Sequence, residues 1–275
     1  MKTIIVAFDG TEGAVAALAT AAKLTKRSDG HVVAVMAHAS AEAYAVKGHW
    51  IPAQAREIMA QANQQILSDA ENAFQQAVDR LHLGDRVSFE KIGGRVDDVL
   101  ARRARTADLL VLARPEAETD MHMVQHPDQI VMRSGRPLLV LPKGSGSWTN
   151  ADAVDAGPVV VAWDGKRAAA RALGDAVPLL QPGTEIVLLT VGVDTMSYPD
   201  HNALAYLERH GFTARHEING TPPQVTQSIL AFCDVTDPSL LVMGAYEHSK
   251  FQVDLTGAPT AQILRQANLP VLMAH

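Results

Sequence analysis

The sequence predicts an α/β protein made of two tandem doubly wound, Rossmann-like domains, each with a five-stranded parallel sheet. Two observations carry this. The first is an internal repeat: Ile4-Ile5-Val6-Ala7-Phe8-Asp9-Gly10 returns as Val159-Val160-Val161-Ala162-Trp163-Asp164-Gly165, and further matched segments follow in the same order. The second is the texture of each copy, in which short apolar runs rich in β-branched residues alternate with helical patterns. Such runs suit strands buried on both faces of a parallel sheet, and right-handed crossovers leave few other topologies.

Taken in order, strand one of each copy is the segment just quoted. Strand two is Val32 to His38, matched by Ile186 to Gly192, and strand three is Val87 to Gly94, matched by Thr213 to Gly220. Leu109 to Ala113 and Leu240 to Gly244 form strand four, and Pro137 to Pro142 and Pro270 to His275 close each copy as strand five. Between them, periodic patterns predict helices over 15–24, 55–81, 96–106, 168–180 and 225–232, with a last helix after Thr260. The offset between copies falls from 154 at strand two to 126 at strand three, so the second copy lacks about 28 residues there. The missing part corresponds to Ser40 through about Leu83, which in the first copy holds an aromatic loop (Tyr44, His49, Trp50, Pro52) and a long helix. A stretch rich in Gly, Ser, Asn and Asp without periodicity separates the copies. The expected division is domain one at 1–143, a linker at 144–157 and domain two at 158–275.

Composition removes several function classes. The chain has 275 residues, 47% apolar and 20% charged, which suits one large domain or two smaller ones. The net charge is −6, with the first 143 residues neutral and the whole acidic excess beyond them. Neither half offers the basic face a nucleic-acid binder needs. The only basic cluster, Arg102, Arg103 and Arg105, lies among Asp97, Asp98 and Asp108 and reads as a solvated helix face. No apolar run approaches the roughly 20 residues of a membrane span. The single cysteine, Cys233, cannot form an internal disulfide, and a reduced, cytoplasmic protein is expected.

In an open parallel sheet a ligand sits outside the carboxyl ends of the strands where strand order reverses, here between strands one and four. At the end of strand one stand Asp9-Gly10-Thr11 and Asp164-Gly165-Lys166, each a carboxylate followed by a glycine that permits a tight turn. The alternative role for each Asp is to N-cap the next helix. At the end of strand four the second copy reads Gly244-Ala245-Tyr246-Glu247-His248-Ser249-Lys250, with Gly257-Ala258-Pro259-Thr260 before the last helix.

With these residues the whole chain resembles a tandem universal stress protein. Many members of that family bind ATP through a loop of pattern G-x2-G-x9-G-[ST] after strand four, and Gly244 and Gly257 fall on its first and third glycines. Glu247 replaces the second, and Ala258 replaces the hydroxyl residue. A glutamate there opposes phosphate by about 3 to 4 kcal/mol per charge pair at 4 to 5 Å and an effective dielectric near 20. The first copy keeps none of the three glycines. The resemblance implies an adenosine near Asp164, Val191 and Met243-Gly244, with Asp9, Ala37 and Leu112-Ala113 as the first-copy equivalents, and ATP or AMP as the cofactor in domain two. It also implies that the two domains pair within the chain as a pseudo-dimer, with further homo-oligomerisation open.

Other signals are weaker. His122 and His126 stand four apart beside Asp120 and Asp128, but Pro127 interrupts the helix that a metal pair would need, and no metal site is assigned. His38, His201 and His248 are scattered without partner spacing. Cys233 reads as a small buried hydrophobe. No nucleophile elbow or P-loop occurs, and no catalytic residue is assigned. Three readings stay open at this point: a non-enzymatic stress-response protein binding a small ligand or protein partner through a degenerate nucleotide loop, an ATP- or AMP-binding protein with slow ATPase activity, and a purely structural interaction module.

Overall fold

A computed structural model describes residues 1–38, 53–114, 125–144, 157–192, 201–219, 224–245 and 259–275. The chain divides into two compact units, the first covering Met1–Arg136 and the second containing Pro137–Pro142 together with the second repeat.

In the first unit the order is β1 (Thr3–Ala7), α1 (Glu12–Lys26), β2 (His31–His38), α2 (Ala53–Leu81), β3 (Val87–Gly93), α3 (Val96–Ala104), β4 (Leu109–Ala113) and α4 (Pro127–Ser134). The strands lie in the order β3-β2-β1-β4, all parallel. Ile4, Ile5 and Val6 are fully buried, as are Val32, Leu109 and Val111 on the flanking strands. This two-sided burial is why the strands read as unbroken apolar runs rather than alternating ones. Helix α1 presents Ala14, Ala17, Leu18 and Ala21 to the sheet, and its small residues let the helix lie close.

The second unit contains β5 (Leu138–Leu141), β6 (Val159–Ala162), α5 (Arg167–Ala176), β7 (Glu185–Val191), α6 (His201–Arg209), β8 (Thr213–Asn219), α7 (Val225–Thr236), β9 (Leu240–Gly244), α8 (Pro259–Gln266) and β10 (Val271–Ala274). Its parallel strands run β8-β7-β6-β9-β10. Strand β5, the last of the first repeat, pairs antiparallel with β10, Leu139 facing Leu272.

The repeat read from the sequence is also the hydrogen-bond register at the centre of each sheet. Ile4 faces Val32 and Leu109, and its counterpart Val159 faces Ile186 and Leu240. At the third strand the sequence match is one residue out. Val32 faces Val87, whereas Ile186 faces Ala214 rather than Thr213. These are the outer strands of their sheets and only half-buried, so little apolar pattern pins them. The corrected register places His216 where the first unit has Phe89.

Among the described residues no helix is long and apolar enough to cross a membrane.

Candidate functional site

In each unit the first strand is flanked by the second on one side and the fourth on the other, so the strand order reverses at the carboxyl ends of β1 and β4, and of β6 and β9. Both reversal points carry the same turn. Gly10 and Gly165 have φ of +86° and +70°, a conformation that strains any residue with a Cβ. The Oδ1 of Asp9 accepts from the Thr11 amide at 3.0 Å, and that of Asp164 from the Lys166 amide at 2.9 Å. Neither Asp caps its helix. In the first unit the cap is Thr11, whose hydroxyl donates to Asp9 at 2.6 Å and accepts from the Ala14 amide at 3.3 Å. In the second the cap position is Lys166, with no side-chain cap bond. Each aspartate instead closes the turn that leads into the cap.

What lies above the turn differs between the units. In the first, α2 crosses over it: a Cβ on Gly10 would meet the Ala70 Cα at 3.2 Å and the Ala73 Cβ at 3.5 Å. One turn along the same helix, Phe74 meets Phe8 edge-on at 5.8 Å and stacks on Phe89 at 5.1 Å. In the second unit no described residue stands within 4 Å of a Cβ on Gly165. The Phe8 position is Trp163, and the Phe89 position is His216, whose Nε2 lies 2.9 Å from the Thr190 hydroxyl. Thr190 donates in turn to the Trp163 carbonyl at 2.9 Å.

The result is a cleft of about 290 Å³ in the second unit. Leu189, Val191, Ile229 and Met243 give it apolar walls, and Asp164, Lys166 and Arg167 stand at the start of α5. The Asp164 Oδ2 lies 3.8 Å from the Lys166 ammonium, and the lysine side chain is 80% exposed. The first turn of α5 holds no acidic residue, whereas α1 begins with Glu12. An uncapped helix start beside two cations favours an anion at the mouth of the cleft.

Of the sequence-predicted site residues, Asp164, Val191, Met243 and Gly244 come together around this cleft. Gly244 also has a packing reason to be glycine, since a Cβ there would meet the Ala168 carbonyl carbon and the Ala169 nitrogen, both at 2.7 Å. Asp9 and Ala37 lie in the first unit, with Ala37 buried in β2. Glu247, Gly257 and Ala258 lie outside the described residues, as do Tyr44, His49, Trp50, Pro52, His122 and His248. Sequence reasoning passed over Lys166, Arg167 and the α7 residues Val225 and Ile229 as lining. The composition of the α5 start, with no Asp, Glu, Ser or Thr between Gly165 and Leu173, was the available signal.

The remaining candidates find structural employment. His126 is held by Asp97: its Nδ1 lies 2.8 Å from Asp97 Oδ2 and its amide donates to Asp97 Oδ1 at 2.9 Å, while His122 and Asp120 lie outside the described residues. The basic cluster is more than a solvated helix face. Arg103 forms a two-pronged pair with Glu90 at 2.8 and 2.9 Å, Arg102 donates to the Asp98 carbonyl, and Arg105 to the Arg133 carbonyl. Arg103 holds the Glu90 carboxyl below its ordinary value, against an opposing effect of burial. Cys233 is buried, and desolvation, with the Asp234 charge second, pushes its thiol up to about 12.

Comparison with known proteins agrees with this architecture. Over 222 residues, 75% of this chain and 70% of the relative, it is 26% identical to a universal stress protein of Synechocystis. A universal stress protein structure from Archaeoglobus fulgidus superposes over 99% of this chain and 95% of its own with a TM-score of 0.66 at 14% identity. A Pseudomonas aeruginosa protein of unknown function superposes over 100% and 92% with a TM-score of 0.56 at 15% identity. At those identities the two superpositions speak for the fold alone. Residues 1–142 match the model of the universal stress protein family, and this chain belongs to that family.

Proposed function

We propose that the protein acts in stress adaptation without catalysis, by holding a small anionic ligand of the nucleotide class in the cleft of its second repeat. The observation that carries this reading is the contrast between the two turns. One lies beneath Ala70 and Ala73, while the other opens on a cleft with apolar walls and two cations at the mouth. A volume near 290 Å³ is at the lower end for ligand sites, enough for a base and sugar, with phosphates directed past Lys166 and Arg167. Among the described lining residues there is one carboxylate, Asp164.

Thermal unfolding with added ATP, AMP and inorganic phosphate tests the proposal. A nucleotide at about 100 times its dissociation constant adds ~2.7 kcal/mol to the stability of the unit that binds it. The shift should vanish in Val191→Trp, which fills the cleft, and should grow in Glu247→Gly, which restores the second glycine of the family's loop pattern and removes a like charge from it. No shift with any nucleotide, or one that survives Val191→Trp, would refute the assignment.

A further inference from the structure

Two arginines of the basic cluster, Arg102 and Arg105, line a groove of about 450 Å³ between α3 and α4 in the first unit. Arg95, Asp98, Arg102 and Arg105 follow one another at three- and four-residue spacing, which puts them on one face of α3 and its ends, and Arg133 joins them from α4. Four guanidinium groups therefore meet one carboxylate among the described lining residues, although the first 143 residues as a whole carry no net charge. A guanidinium keeps its charge at any ordinary pH, so this local excess is permanent.

The carboxylate is engaged twice. Asp98 Oδ1 lies 2.5 Å from Arg133 Nη1, and its Oδ2 lies 4.0 Å from Arg95 Nε. Arg102 and Arg105 have no carboxylate partner among the described residues. Each gives one donor to a backbone carbonyl, Arg102 to that of Asp98 at 3.3 Å and Arg105 to that of Arg133 at 3.2 Å. A guanidinium carries five N–H donors, so both keep the greater part of their hydrogen-bonding capacity for solvent or a ligand. These bonds also fix where the two groups stand. Arg105 reaches from the end of α3 to α4, while Arg102 Nη2 lies 3.9 Å from the point that a Cβ on Gly94 would occupy.

We propose that this groove binds a linear oligophosphate. Planar guanidinium forks match phosphate oxygens two at a time, which suits arginine better than lysine to such a ligand. Arg95 and Arg105 stand ten residues apart, about 15 Å along the helix, which is further than a single orthophosphate bridges. A chain of several phosphates engages both ends. The uncharged lining residues described are Gly94 and Ala101, which give a base nothing to lie against, so the groove selects the phosphate chain rather than a nucleoside. It shares no described residue with the cleft of the second unit.

Isothermal titration calorimetry of the full-length protein with inorganic tripolyphosphate at low salt tests the proposal, with orthophosphate run beside it. Tripolyphosphate should bind at least about tenfold tighter than orthophosphate, and Arg102→Gln/Arg105→Gln should weaken it by about 100-fold. Arg95→Gln should weaken it by about 5-fold; that side chain is 81% exposed and holds no backbone group, so this variant keeps the test open if the double variant fails to fold. Lys166→Gln/Arg167→Gln, which strips the mouth of the second-unit cleft, should leave tripolyphosphate binding as it is, so that the groove and the nucleotide site fail or stand separately. Tripolyphosphate binding no tighter than orthophosphate overturns the proposal. So does an affinity indifferent to the groove variants, or one lost only in Lys166→Gln/Arg167→Gln.

Discussion

Replacing Gly244 by alanine separates the packing role of this glycine from its place in a phosphate-loop pattern. The added Cβ would stand 2.7 Å from the Ala168 carbonyl carbon, 2.7 Å from the Ala169 nitrogen and 2.8 Å from the Ala168 Cβ. Ordinary contacts begin near 3.4 Å, so the first turn of α5 must retreat by roughly 0.7 Å, and two of the three obstacles are backbone atoms that no rotamer change can move. Overpacking of this kind costs about 1–3 kcal/mol. For a unit of this size each kcal/mol lowers the melting temperature by about 3–5 °C, so Gly244→Ala should melt roughly 3–15 °C below the parent. Gly174→Ala is the control. It sits exposed inside α5 with no described residue within 4 Å, so the same added methyl should stabilise by about 0.5–1 kcal/mol through helix propensity. Calorimetry of both variants decides the matter. A Gly244→Ala melt within 1 °C of the parent would show that α5 does not press on β9 as described, and would return Gly244 to a ligand role alone.

Two other measurements probe the remaining chemistry. Because Glu90 has its carboxyl lowered in the folded protein, its pair with Arg103 contributes stability above the unfolded value near 4.3 and loses it as pH falls below that toward the folded value. The pair is part-exposed, so the effect is about 0.5–1 kcal/mol after solvent screening; Glu90→Gln should flatten the stability profile below about pH 4.5 relative to the parent, and parallel profiles would exclude the contribution. Cys233 should resist an aromatic disulfide reagent at pH 8 and react at the rate of unfolding, since it is buried and its thiol is held near 12; immediate labelling of the native protein would contradict that burial.

How far the sequence could be read depended on how local each feature is. The core strands and their register were legible because Ile4 and Val159 head apolar runs that can only sit between two neighbours. The third strand was less so: Val87 to Gly93 and Thr213 to Asn219 are outer strands with mixed patterns, and a match by residue type slipped by one. Helix α6 gave no sequence expectation, since a nine-residue element presents too few turns for a periodic signal. The aspartates at the two turns were found by spacing. Their role was not, because a cap and an Asx turn use the same residue types one or two positions apart, and only the Thr11 hydroxyl bonding the Ala14 amide distinguishes them. The openness of one crevice was beyond sequence reasoning altogether. It depends on where the stripe of a 29-residue helix comes to rest, and Ala70 and Ala73 are unremarkable in a chain so rich in alanine.

The two repeats differ in a way that shortening alone does not explain. Had the second copy merely lost its long helix, the sheet positions that helix covers would still carry the apolar partners of Phe74, now facing water. Instead Phe89 is answered by His216, and the aromatic contacts give way to a hydrogen-bonded series from His216 through the Thr190 hydroxyl to the Trp163 carbonyl. The helix start changes in the same sense. Thr11 and Glu12, which satisfy and neutralise the first turn of α1, become Lys166 and Arg167, which leave the first turn of α5 uncapped and add positive charge. Buried polar groups need partners, and an aromatic cluster needs cover, so these substitutions and the change in helix length favour one another. Each repeat is consistent within itself: the first closes its turn under a helix, and the second keeps the same turn accessible and surrounds it with groups suited to an anion. On the proposed reading the ligand belongs to the second copy, where the turn of Asp164 opens on the cleft, and not to the first, where the glycine after Asp9 lies against Ala70 and Ala73.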